Sequence, residues 1–472
     1  MDEAVLVGER PRTPGGAAGE LLELSVWRGL LRLSGPTTAV MGVAALSNIL
    51  HTYFVSVLGP EAIAAVSLVF PVTLILTTLM AGGIGSGISS AVARALGAAD
   101  EEMAREVAAH AFSLTLGVGS LASGLLFLGA RPVFAAMGGK GQVLDLAVAF
   151  ARVLYAGLLV TFFVSTCDSI LRGAGNVRVP AVASTVSLVL QILLVPVFMF
   201  PLGFGIVGAA LGTLVGQALG GFLRLPYLFG RSPVIRSGIR PRRFRWYPVQ
   251  DILRVGIPSS VGTLAVYVGL IVLTAIVARM GDAHLAAFGL GSRLDFLVLT
   301  VSYGTGVAVL TLVGFAAGAR RHDRIEAYTR GGALLLGLAW GALALLVVVR
   351  PELWLRMFTD DAEVLRVGEL YLRTIAPTYP FGAAAMVFSF AFQGTGRAVP
   401  PLVVIVLRVV SVTAAAALAT ASFGASARTV FAIMALGNVA SCLGVGLLFV
   451  RQSRRRGFSG ESPRPFAKAK TG

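Results

Sequence analysis

A handful of polar and ionisable residues stand inside long apolar stretches of this 472-residue chain, and they limit the chemistry open to it. A charged side chain at the centre of a membrane span costs about 2.5–3.5 kcal/mol or more unless it is paired or hydrated, so each such residue is a functional candidate by default. His51 is suited to bind and release a proton, because an unperturbed imidazole titrates at about pH 6.5. Asn48 stands three residues earlier and shares its helical face. Asp295 offers a carboxylate to a proton or a small cation. Arg293, two residues before it, points away on a helix, so a structural partner for Asp295 has to come from elsewhere, Arg373 or Arg408 being the alternatives. Asp168 precedes Arg172 by four residues, acid first, which is the spacing of an intrahelical ion pair. It is therefore the more structural of the three ion-coupling candidates, His51, Asp295 and Asp168. Asn48, Gln191, Arg293, Tyr303 and Gln393 are candidates to line a substrate cleft. Arg152 and Arg373 are expected to be buried structural residues. The chemistry within reach is reversible binding of H⁺ or Na⁺ and of a small organic molecule, with no cofactor. His51, His110, His284 and His322 are far apart, and Cys167 and Cys442 stand alone, so neither a metal centre nor a disulfide framework is expected. Gly203 to Gly208 fits GxGxxG but falls between two apolar runs without the strand and acid a dinucleotide site needs, and no Walker A loop exists. An enzyme and an ATP-driven pump are thereby excluded from the reading.

These residues have to be positioned by membrane-spanning helices. Hydrophobic residues make up 56% of the chain, charged ones 13%, and the mean hydropathy is +0.83. Soluble domains carry about 25% charged residues. Apolar runs long enough to cross a bilayer recur at about 31–57, 62–94, 106–130, 143–170, 178–201, 205–229, 252–279, 284–317, 329–349, 365–392, 399–421 and 427–450. They are continuous and not alternating, which favours α-helices over a closed barrel. The expected fold is an all-α integral membrane protein of about twelve transmembrane helices. A net charge of +16 sits largely in short loops and tails, where anionic lipid headgroups and not nucleic acid are the expected partner. The same bias places both termini in the cytoplasm.

The chain also repeats itself. Leu31-Arg32-Leu33-Ser34-Gly35-Pro36 returns as Leu253-Arg254-Val255-Gly256-Ile257-Pro258, and Gly59, Gly83 and Gly85, Gly97, Arg152 and Gly173 return as Gly281, Gly304 and Gly306, Gly318, Arg373 and Gly394, at an offset of 221 or 222 residues. The expected units are an N-terminal tail (1–27), an N-lobe (28–230), a basic linker (231–250), a C-lobe (251–450) and a basic tail (451–472). Six spans per half is an even number, so the lobes should be related by a pseudo-twofold axis along the membrane normal, with a cleft between them.

At this point the residues resemble the multidrug and toxic compound extrusion (MATE) family over roughly residues 28–452. The likeness is carried by the segment from Leu46-Ser47-Asn48 through His51 to Leu58-Gly59, by Ser292-Arg293-Leu294-Asp295, by Val313-Gly314 to Gly318-Ala319, and by the twin loops Leu171-Arg172-Gly173-Ala174-Gly175-Asn176 and Phe392-Gln393-Gly394-Thr395-Gly396-Arg397. The resemblance implies a 6+6 fold that exports organic cations or amphipathic compounds in exchange for H⁺ or Na⁺; a monomer in the plasma (bacterial inner) membrane is the expected setting. The chain departs from the family at the acid late in the first helix, where His51 stands, and at the Asn and Asp of the fifth helix, where Gln191 and Val195 stand. An alternative is a lipid or lipid-linked glycan flippase, for which Arg152, Arg293, Arg373 and Arg408 would have to converge on the cleft.

Overall fold

A computed structural model describes residues 15–231 and 245–454. Apolar composition without strand periodicity dictates helices, and the described residues are helical almost throughout. A short α1 (Gly16–Glu23) precedes the spans. The N-lobe follows: α2 (Val26–Ser56), α3 (Pro60–Thr78) continued through a π-helical turn (Leu79–Ile84) into α4 (Gly85–Gly97), α5 (Glu101–Ala136), α6 (Gly141–Ala156) bent by 46° against α7 (Leu158–Gly173), α8 (Arg178–Met199) and α9 (Gly205–Phe222). The C-lobe is α10 (Trp246–Ala278), α11 (Asp282–Gly318), α12 (His322–Val349), a short α13 (Glu352–Leu355), α14 (Ala362–Ile375) joined by a 3-10 turn (Ala376–Thr378) to α15 (Tyr379–Gly394), α16 (Val399–Phe423) and α17 (Ala427–Arg454). Counting the bent α6–α7 pair as one, twelve helical segments are long and apolar enough to cross a bilayer. The expected tail 1–27 thus includes an ordered helix, and the first span opens at Val26, before the first apolar run. Most of the basic linker lies outside the described residues, as do 455–472.

The duplication is written into the backbone. Outside glycine, left-handed φ occurs among the described residues at Ala99 (56°) and Arg320 (57°), repeat mates two residues past the ends of α4 and α11. Gly59 (108°) and Gly281 (121°) precede α3 and α11 in the same way.

The lobes meet on the side that carries the termini and the linker. There the contacts come in swapped pairs. A Cβ on Gly97 would collide with the Phe315 carbonyl, and one on its repeat mate Gly318 with the Arg94 carbonyl, so only glycine lets α4 and α11 approach this closely. Ser90 Oγ donates to the Gln393 carbonyl, and Thr311 Oγ1, its mate, to the Arg172 carbonyl (3.3 Å). One bridge has no counterpart. Arg94 Nη2 reaches both oxygens of Asp251 in α10 (2.8 and 2.9 Å), whereas the mates of these residues are Phe315 and Gly29. Below this floor lies α1, with Leu21 and Leu22 buried; Tyr328 Oη donates to the Leu21 carbonyl (3.0 Å), and Arg324 Nη1 to that of Leu24 (3.0 Å). Farther from the termini the lobes part. α4 packs along α11, but α3, which continues the same span, does not. The space between the diverging halves is the cleft.

Candidate functional site

Asp295 is held in the C-lobe by two phenols. Tyr371 Oη, from α14, donates to Oδ2 (2.5 Å), and Tyr379 Oη, from the first residue of α15, donates to Oδ1 (2.7 Å). The 3-10 turn between α14 and α15 brings both tyrosines to the same side chain. Phe288 and Phe431 stand edge-on to Tyr371, with centroids at 5.6 and 4.9 Å, and fix its ring. The structural partners expected for Asp295 are corrected here. Arg373 turns outward to Glu369 (3.7 Å), and Arg408, although in electrostatic range, makes no ion pair. A carboxylate with two neutral donors, an arginine in electrostatic range and no salt bridge among the described residues is satisfied when ionised, yet keeps lone pairs for a proton or a small cation.

The N-lobe position is built differently. Thr73, the repeat mate of Asp295, spends its hydroxyl on the Val69 carbonyl (3.2 Å), and Phe150 stands where Tyr371 does. His51 lies beside that ring (centroids 6.4 Å apart, 54° between planes) and makes no hydrogen bond among the described residues. Asn48 does not join it: its amide donates back to the Ala44 carbonyl (3.2 Å) and it is exposed. Gln191 is half-buried, its stem against Gly216 of α9, also without a hydrogen bond.

Tyr303 and Gln393 lie at the bottom of the cleft. Tyr303 Oη donates weakly to the Ala81 carbonyl in the π turn (3.4 Å), and its ring stands edge-on to Phe390 at 5.5 Å. Gln393 has a buried Oε1 with no partner. Arg293 does not belong to this group. It is exposed and lies over the Phe358 ring, 5.6 Å from the centroid, at the end of the molecule away from the termini.

The intrahelical pair expected for Asp168 is also corrected. Its partner is Arg224, at the end of the sixth span (Nε–Oδ1 2.6 Å, Nη2–Oδ2 3.2 Å), which also reaches Ser184 Oγ and the Gly220 carbonyl, both at 2.8 Å. Arg224 is 1% exposed, and sequence reasoning missed it because it sits near the expected cytoplasmic end of the run 205–229, where an arginine reads as an interfacial charge. Asp168 is thereby committed to a structural staple. Arg152 is exposed too, over Phe127 at 5.7 Å, so neither Arg152 nor Arg373 has the buried role expected of them. The four arginines required for a flippase do not converge.

Two lobes of one design enclosing a cleft also fit the relatives of this chain. The MatE family model matches residues 36–197 and 258–418, one stretch in each lobe. The chain belongs to the MATE family. As such it is a multi-pass membrane transporter and not an enzyme. It is 24% identical over 381 residues to the probable multidrug resistance protein NorM of Thermotoga maritima, covering 79% of this chain and 81% of that one. It is 26% identical over 406 residues to the FAD transporter of Shewanella oneidensis, covering 83% and 87%. A solved multidrug resistance MATE family transporter of the MOP superfamily in an outward-facing conformation superposes with a TM-score of 0.85 at 29% identity, covering 94% of this chain and 100% of that one.

Proposed function

We propose that this MATE transporter is an ion-coupled antiporter that exports amphipathic organic compounds by alternating access, with Asp295 as its coupling carboxylate. The observation that carries the proposal is the capping of Asp295 by Tyr371 and Tyr379 with no salt bridge to it among the described residues. A proton or Na⁺ on Asp295 competes with the two phenols for the carboxylate. Ion binding thereby loosens the tie between α11 and the α14–α15 pair, and favours one access state over the other. Substrate favours the opposite state, and coupling is the difference in affinity. His51 is a second proton-binding group, in the lobe where the family's acids are replaced. The Lys and Arg bias puts the termini and the sealed floor in the cytoplasm, so the cleft faces outward, in the plasma membrane. Relatives named for multidrug resistance and for FAD transport are in keeping with a broad organic cargo, handled by a monomer in contact with anionic lipid.

Purified protein in proteoliposomes, given an imposed H⁺ or Na⁺ gradient and a panel of fluorescent amphiphiles, tests this. Gradient-driven movement is expected, and Asp295→Asn should abolish its dependence on the ion while His51→Ala blunts its dependence on pH. Transport by Asp295→Asn with unchanged ion dependence refutes the assignment. Absence of any gradient-driven movement refutes the antiporter.

A further inference from the structure

The bottom of the cleft has two unlike walls. On α7, Ser165, Ser169 and Arg172 follow one another at about one-turn intervals. Ser169 Oγ donates to the Ser165 carbonyl (2.8 Å) and packs into the gap left by Gly85, and Arg172 Nη2 donates to Ser169 Oγ (3.3 Å). The Ser165 hydroxyl and Arg172 Nε are buried without a hydrogen-bond partner. The acid nearest in sequence, Asp168, is taken by Arg224, and Arg172 forms no ion pair with any described carboxylate. Its side chain remains partly exposed and within electrostatic range of Tyr303. The repeat mates of the three residues on α15 are Met386, Phe390 and Gln393. Phe390 fills against Gly306 the place that Ser169 fills against Gly85, and with Tyr303 and Met386 it forms an aromatic and apolar cluster. One wall therefore carries an uncompensated guanidinium, the other a greasy, aromatic face. Arg172 is the second-last residue of α7, where the helix C-terminus favours a cation, but its buried Nε still lacks a hydrogen-bond acceptor, and a partner from outside the chain can supply one.

We propose that this floor is a substrate subsite for amphipathic organic anions, with Arg172 holding the carboxylate or phosphate and Tyr303, Phe390 and Met386 packing on the ring. The subsite deepens the efflux reading, since it rests on the cleft being the substrate path, and it names the charge of the cargo. Arg172 sets specificity by adding charge-assisted, two-point hydrogen bonding that a neutral analogue lacks. Riboflavin and its 5′-phosphate are suitable probes, because they share one ring system and differ in a single anionic group. Binding is read from flavin fluorescence anisotropy on protein in phosphatidylcholine nanodiscs without an ion gradient, so the result does not depend on coupling. The wild type should prefer the phosphate by about ten- to a hundredfold. Arg172→Gln should bring the two affinities together without weakening riboflavin, Arg172→Lys should keep part of the preference, and Tyr303→Leu should weaken both ligands alike. A wild type that binds neither flavin or shows no preference overturns the proposal, as does a preference that survives in a folded Arg172→Gln protein.

Discussion

Replacing Asp251 with Asn should open the floor. The Arg94–Asp251 bridge joins α4 of one lobe to α10 of the other, with side chains 17% and 22% exposed, and pseudo-symmetry supplies no second copy of it. Exposed ion pairs contribute about 0–1 kcal/mol, and breaking a fully buried one costs about 3–5 kcal/mol. A partly buried pair with two short contacts falls between, at about 2 kcal/mol. The bridge exists only while the lobes touch, so its loss falls on the closed state. A change of about 2 kcal/mol alters the ratio of closed to open roughly 30-fold, taking about 100:1 to about 3:1. Spin labels at Glu101 and Asp323, exposed residues at the starts of α5 and α12, report the separation of the lobes at this face. With Cys167 and Cys442 replaced, electron-electron resonance in nanodiscs should show one short distance for the parent and a second, longer population for Asp251→Asn. The exchange Arg94→Asp with Asp251→Arg should restore much of the short population. An unchanged distance distribution in Asp251→Asn refutes the reasoning, because the bridge would then contribute nothing to closure.

Gly97→Ala and Gly318→Ala should each raise the longer population in the same experiment, since a methyl at either position meets a carbonyl of the other lobe; equal distances in parent and variants would contradict this. Arg224→Met leaves the Asp168 carboxylate without its cation in a largely buried place and should destabilise the N-lobe by about 3 kcal/mol, seen as a lower thermal midpoint in detergent. Adding Asp168→Asn should recover most of that loss. Tyr371→Phe removes one of two donors from Asp295, at about 1–3 kcal/mol. It should change the ion concentration giving half-maximal transport about tenfold while leaving the flavin phosphate preference untouched.

The twelve spans, their pairing into two lobes and the 221–222 offset were all legible in the sequence, because apolar length and glycine register are local signals. Gly97 and Gly318 match at a fixed offset for a reason the sequence hints at: both allow the same close approach. The site was only half legible. Asp295 stands out as an acid in an apolar run, but its tyrosines are 76 and 84 residues away, and nothing linear links them. Comparing the halves would have helped, since the mates of Asp295 and Tyr371 are Thr73 and Phe150, so acid and phenol are lost together. Asp168 misled because an i, i+4 arginine was visible and Arg224, 56 residues on, was not an obvious partner. Asn48 shares a helical face with His51 yet turns to its own backbone, a choice that spacing does not determine. Arg94 and Asp251 drew no notice, each being an ordinary charge near the end of a run.

The helix α1 carries a consequence for how the protein is made. It leaves the ribosome before any span, yet the side chains that grip it, Arg324 and Tyr328, lie about 300 residues downstream. Throughout synthesis of the N-lobe, Leu21 and Leu22 have no groove between lobes to enter, and Ser90 and Arg94 wait for partners in helices not yet inserted. Domains of a nascent chain form in order from the N-terminus, so α1, made before the spans it touches, is fastened only after the ninth span is in the membrane.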